Sequence, residues 1–290
     1  MPEPRVWTAH SSYILGLLYA PDGRLVSCGG DGSIAVWAPQ SGQAIHRWQA
    51  HEQSANGIAL SPDASLLASV SSDRTAGIWT YPEGDRVATM QDRKRVTACL
   101  TWAPEGDRLI VGSYGGRVAI WTRDGEPVNG FAASQRNLST VALSPEGSTL
   151  VTGGQGDDVF VWSFPTSEPL TTLSAHRDAV IGARFLDEGA TLATLGYRGK
   201  LALWRSADWT LDQEHALAEG ARAVVWSPDE SLAAVLAKGR ILLRDVATWR
   251  LEQEWPSITP VVNAAAFAPD LRHLAVGGAD GRIAFYPLEG

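Results

Sequence analysis

Three observations predict an all-β fold, a seven-bladed β-propeller of four-stranded blades. The first is the stretch GDGSIAVW, residues 30–37. Asp31-Gly32 opens a run in which Ile34 and Val36 alternate with Ser33 and Ala35, and Trp37 closes it. An Asp-Gly between apolar runs signals a β-hairpin, so a type I′ turn with positive φ at both central residues is expected. The second observation is recurrence. Equivalents of Trp37 stand at Trp79, Trp121, Trp162, Trp204, Arg244 and Tyr286, spaced 42, 42, 41, 42, 40 and 42 residues apart. The third is the content of each unit: four short strands with punctual turns, which at a period of about 40–45 residues is the pattern of propeller blades.

The elements follow in order within every unit. A first apolar strand runs into a turn, as in LLYAPDG, IALSPDA and LTWAPEG. A second strand follows, as in RLVSCGG and LLASVSS. The hairpin turns are Asp31-Gly32, Asp73-Arg74, Gly115-Gly116, Gly156-Asp157, Arg198-Gly199, Lys238-Gly239 and Asp280-Gly281. The third strand carries the anchor residue, and a more polar fourth strand completes most units, as in AIHRWQ and RVATMQ. The seventh unit stops after its third strand. PRVWTAH, residues 4–10, aligns with HRWQAH, residues 46–51, placing Trp7 over Trp48 and His10 over His51. A strand at about residues 4–9 is therefore expected to complete the last blade and close the ring, pairing an edge that would otherwise stay open. One propeller domain over residues 1–290 is the expected organisation, since neither a linker nor a low-complexity stretch interrupts the units.

Composition narrows the function. Net charge is −8, with acidic residues spread along the chain, which argues against a nucleic-acid surface built of clustered Lys and Arg. Two cysteines in the whole chain make no disulfide framework and point to a reducing compartment. The N-terminus has neither the charged nor the apolar region of a secretory signal, and apolar runs fall short of a membrane span. A cytoplasmic protein is the expectation. Lys94, Lys200 and Lys238 are the only lysines among 24 basic residues, an arginine bias consistent with a GC-rich, prokaryotic source.

The seven units resemble the WD40 family over the whole chain. That resemblance implies a structural tetrad: a His before the first strand, a Ser or Thr on the second, an Asp in the hairpin turn and the Trp on the third. His10, Ser27, Asp31 and Trp37 match it in unit one; His51, Ser69, Asp73 and Trp79 match it in unit two. Unit five has His176, Thr194 and Trp204 but Arg198 at the Asp position, and unit four keeps Thr152 and Trp162. Units three, six and seven place Val111, Ala234 and Val276 at the Ser/Thr position, so apolar packing is expected to replace the tetrad there.

Catalytic and metal chemistry finds little support. Enzymes with this fold place acids, amides or histidines on the innermost strands, and here those strands hold no Asp, Glu or His. Asn56 and Asn263 are their only amides. The histidines lack metal-ligand spacing, and the Gly-rich stretches join strands rather than opening a helix that could cradle a phosphate. No cofactor and no metal are expected. The resemblance implies a non-catalytic protein-interaction scaffold that binds a peptide or partner subunit on one rim. Carried onto this chain, the rim of hairpin turns holds Tyr13, Asn56, Arg95, Tyr114, Asn137, Arg177, Tyr197, Arg222 and Asn263. Trp209 and Trp249, in the turns between third and fourth strands of neighbouring units, form a second candidate patch. Two alternatives stand beside this reading. One is an enzyme or small-ligand binder using the central channel. The other is a phosphate or nucleic-acid contact at Arg93, Lys94 and Arg95 with Arg136.

Overall fold

The computed structural model describes residues 4–91, 94–174, 176–218, 220–259 and 261–288. Seven four-stranded antiparallel sheets follow one another around a ring. Blade one consists of Ile14–Tyr19, Leu25–Gly29, Ser33–Ala38 and Gln43–Gln49, from the channel outward. The pattern of burial explains the order. Second strands are mostly apolar and largely buried, completely so in Leu25–Gly29, whereas fourth strands such as Gln43–Gln49 face solvent and read as polar.

Blade seven takes Val262–Phe267, His273–Gly278 and Arg282–Pro287 from the end of the chain and Arg5–Thr8 from its start. The closing strand pairs antiparallel, Arg5 opposite Phe285 and Trp7 opposite Ile283. Trp48 stands opposite Ile34 in the same register of blade one, so the alignment of Trp7 with Trp48 is a structural equivalence. The core is a chain of clusters lying between adjacent blades. One of them joins Ala264, Ala266 and Phe285 of blade seven to Ile14, Leu25 and Trp37 of blade one.

The type I′ expectation for the opening hairpin is corrected by the backbone. The Gly32 N–H donates to the Gly29 carbonyl at 3.0 Å, and of the turn residues only Gly32 has positive φ, 74°. The loop is therefore the longer form that ends in a single left-handed residue. A Cβ at Gly32 would stand 2.5 Å from the His51 carbonyl oxygen, so the next loop packs directly on this backbone. The same left-handed position recurs in other hairpins, at Arg74, Gly116, Gly199, Gly239 and Gly281, so the turn belongs to the repeat.

A second regularity sits on the outer edge. In blades one to six the pairing of third and fourth strands shifts at the anchor residue, as between Val36 and Trp37 or between Leu243 and Arg244. A bulge on these six solvent-facing edge strands twists them away from pairing with another chain, whereas the closing strand Arg5–Thr8 pairs without a shift.

Candidate functional site

The tetrads come first, because they position the rim. In blade one the Trp37 indole N–H donates to Ser27 Oγ at 2.8 Å. Ser27 Oγ meets His10 Nε2 at 2.7 Å, and His10 Nδ1 meets Asp31 Oδ1 at 2.9 Å. Asp31 also accepts the Ser11 backbone N–H, which ties the loop before the first strand to the hairpin turn. Blade two repeats the relay through Trp79, Ser69, His51 and Asp73 at 2.9, 2.8 and 3.2 Å. Burial holds both imidazoles in the neutral form against the pull of the aspartates. Burial works to raise the Asp31 pKa, but hydrogen bonds from His10 and Ser33 outweigh it and hold the carboxyl well below the usual range.

Blade five solves the same problem in reverse. Trp204 and His176 share Thr194 Oγ1 at 2.9 and 2.8 Å, while the turn position holds Arg198. The carboxylate comes instead from Asp178 in the loop, which accepts the Arg198 backbone N–H at 2.9 Å. Loop and turn are joined across the same gap with donor and acceptor exchanged. The exchange leaves buried His176 Nδ1 without a partner among the described residues. In blades three, six and seven Val111, Ala234 and Val276 are buried in apolar clusters, as the sequence leads one to expect.

The candidate rim residues all stand where a first strand begins or a hairpin turns, and antiparallel pairing joins these two places, as in Ile14 opposite Gly29. Neighbouring blades are stitched along this rim. The Tyr13 hydroxyl meets Ser54 Oγ at 2.8 Å, the Asn56 amide donates to the Thr97 carbonyl at 2.9 Å, and the Asn263 amide donates to the Ile14 carbonyl at 3.1 Å. Asn137 Oδ1 accepts the Gly115 N–H at 2.8 Å. The amides at 56, 137 and 263 thus hold the rim's own backbone. Tyr13, Tyr114 and Tyr197 are 40%, 44% and 57% exposed, and among the described residues no other Phe, Tyr or Trp is classed as exposed. Arg177 and Arg222 are exposed between them, and Arg95 lies across the blade-three turn, its Nε 2.9 Å from where a Gly115 Cβ would stand. Of the basic run, Arg93 lies outside the described residues; Lys94 and Arg136 are exposed.

Trp209 and Trp249 have φ of 58° and 57° and are half-buried. Their slot is occupied by Gly42, Gly84 and Gly125 in blades one to three. The Trp7 ring lies over Gly42 and the Trp48 ring over Gly84, each supplied by the fourth strand of the preceding blade. Where that strand instead offers Leu173 or His215, the turn provides the ring: Trp209 packs on the cluster containing Leu173, and Trp249 stacks on His215 at 4.8 Å. Leu211 and Leu251 beside them remain exposed.

Arg184 escaped the sequence reading. Among the described residues it is the one charged side chain on a first strand, and it reaches Glu230 of blade six at 3.7 Å. A break in an otherwise uncharged strand was the available signal. Among the described residues no group of three His, Cys, Asp or Glu is placed to hold a metal, and no helix is long and apolar enough to cross a membrane.

Comparison with known proteins agrees with this geometry. The family model described as WD domain, G-beta repeat (WD40) matches residues 2–38, 42–80, 84–122, 125–163 and 254–286. The unmatched stretch contains Arg198, Trp209, Arg244 and Trp249, where the blades depart from the tetrad pattern. Mouse WD repeat-containing protein 41 is 25% identical over 248 residues, 80% of this chain and 52% of that protein. A zebrafish p21-activated protein kinase-interacting protein 1-like is 28% identical over 130 residues, 45% of this chain and 35% of its own. Drosophila Protein groucho is 32% identical over 123 residues, 41% of this chain and 17% of its own. The chain thus spans about half of the mouse relative's length and less of the other two. Family match, blade count and tetrad geometry coincide: the chain belongs to the WD40 family.

Proposed function

We propose that this propeller is a non-catalytic protein-interaction scaffold that seats a peptide or a partner subunit on the hairpin-turn rim. The observation that carries the reading is the placement of the exposed aromatic rings: Tyr13, Tyr114 and Tyr197 all stand on this rim. Tyrosine and arginine make interface anchors because each buries a large area and still hydrogen-bonds. The stitched backbone beneath them is preorganised, which lowers the ordering cost of binding. The relatives support the class of function, one of them being named for interaction with a p21-activated protein kinase. The first-strand amides at 56 and 263 are committed to backbone carbonyls, which leaves them poorly suited to catalysis in the channel.

The test is affinity capture from native lysate followed by mass spectrometry, comparing wild type with a Tyr114→Ala/Tyr197→Ala double variant of equal thermal stability. A defined partner captured by wild type and lost in the variant is the expected result. A partner retained by the variant moves the site off this rim, with a Trp209→Ala/Trp249→Ala variant as the next comparison. No specific partner at all counts against the scaffold reading.

A further inference from the structure

The ring closes between blades seven and one. At that seam, on the face opposite the tyrosine rim, lies a cavity of about 570 Å³, within the roughly 300–1,000 Å³ typical of ligand sites. Its apolar wall is Phe285 with Pro287, faced across the seam by Pro39 of blade one. Hydrogen-bond donors line it as well, from Arg5, Tyr19 and Arg272. The Arg5 guanidinium lies 5.5 Å from the Phe285 ring centre and 5.6 Å from that of Trp7, and one of its N–H groups donates to the Gln40 carbonyl. Its other N–H groups have no partner among the described residues. A guanidinium locked in this way loses little freedom on binding. The Tyr19 hydroxyl, on a half-buried ring lining the same cavity, also has no partner among the described residues. A half-buried phenol ordinarily finds one. Arg272 completes the edge; its contact to Asp270 is loose, 3.9 Å between largely exposed groups, and competes weakly.

The charge of this place reverses that of the molecule. The chain carries −8, yet the cavity collects the guanidinium groups of Arg5 and Arg272 against the single carboxylate of Asp270. In an extended peptide successive side chains point to opposite sides. One can meet the donors while its neighbour lies on the Phe285–Pro287 wall. We propose that the seam between blades seven and one is a second recognition site, taking a short acidic peptide segment. Its carboxylate sits between Arg5, Tyr19 and Arg272, and an adjacent apolar residue packs on Phe285. This site is independent of the tyrosine rim and would let one propeller hold two partners on opposite faces.

The probe is a phage-displayed library of random hexapeptides, panned in parallel on the wild-type chain and on an Arg5→Gln/Arg272→Gln variant of matched thermal stability. The expected outcome is enrichment of Asp or Glu next to a large apolar residue on wild type, and loss of that enrichment on the variant. A synthetic peptide of the selected sequence should then bind about tenfold more weakly when its acidic residues are replaced by their amides. Asp270→Asn should bind it more tightly, since a competing carboxylate is gone and the acceptor for the Arg272 backbone N–H is kept. A gain cannot arise from misfolding. The Tyr114→Ala/Tyr197→Ala variant should bind it unchanged, which separates this site from the rim. Identical selections on both proteins, selection without acidic residues, or loss of peptide binding in the rim variant would overturn the proposal. Full displacement by millimolar citrate with no contribution from the apolar residue would also overturn it, assigning the cavity to a small carboxylate.

Discussion

Ser69 shows what a single residue carries. Its hydroxyl serves the Trp79 indole and the His51 ring at once, with no exposure of its own. Losing one buried partner costs about 1–3 kcal/mol, and here two depend on one oxygen. Protonation is the other stress at this scale. Burial lowers the pKa of His10, His51 and His176 below the usual 6.5, so the unfolded chain takes up protons that the folded chain refuses. Stability is then present above about pH 6.5 and is lost as pH falls through that value towards the folded pKa values. Asp31 and Asp73, whose pKa values are also lowered, add to the loss further down. The melting temperature at constant ionic strength is expected to fall steadily from pH 7.5 to pH 5. A flat profile over that interval would contradict the neutral-imidazole tetrads.

At the scale of the element, blades are joined by an exchange of volume. At the turns holding Gly42, Gly84, Trp209 and Trp249 one aromatic ring fills the space from either side, whereas at Gly125 the fourth strand of the preceding blade offers Ala88 and Met90. Trp7 and Trp48 come from the strand over glycine turns, whereas Trp209 and Trp249 come from the turn itself. A double swap tests the rule. Trp249→Gly alone removes a half-buried ring and should cost about 2–3 kcal/mol, below the 3–5 typical of fully buried aromatics. Adding His215→Trp should recover most of that loss, because Gly at 249 relieves the left-handed backbone and the new ring occupies the place Trp48 takes over Gly84. Chemical denaturation of the two single variants and the double would give the coupling. Additive losses would show that the two positions do not share a site.

At the scale of the molecule the ring is only as strong as its seam. Arg5–Thr8 covers the open edge of Arg282–Pro287, and the Trp7 ring stacks on Phe285 at 4.6 Å. Deleting residues 1–8 should lower the melting temperature by about 10 °C, from the loss of one large aromatic and one strand edge. Exposed edge strands template aggregation, so light scattering should rise with it. Retention of the full melting temperature would mean that blade seven stands without its fourth strand. The seam also carries Arg5, so the same strand serves closure and the proposed peptide site.

Much of this architecture is legible in the order of the residues. The 42-residue period, the strands of each blade and the two full tetrads are written within single units, and each unit repeats the same local physics. Ring closure is legible too, because Trp7 and His10 copy Trp48 and His51. The features that escape such a reading join residues that no local spacing relates. The His51 loop packs directly on the Gly32 backbone, and Asp178 substitutes for a turn aspartate because it lies across from Arg198. The Asn263 amide finds the Ile14 carbonyl 249 positions away. By itself the sequence determined the repeat, and hence the all-β ring and its number of blades, since period and alternation are properties of neighbouring residues. Only the tertiary structure decided which side of a blade junction supplies the filling side chain, and what gathers at the seam. Those are contacts between different units and between the two ends of the chain, which exist once the ring has closed.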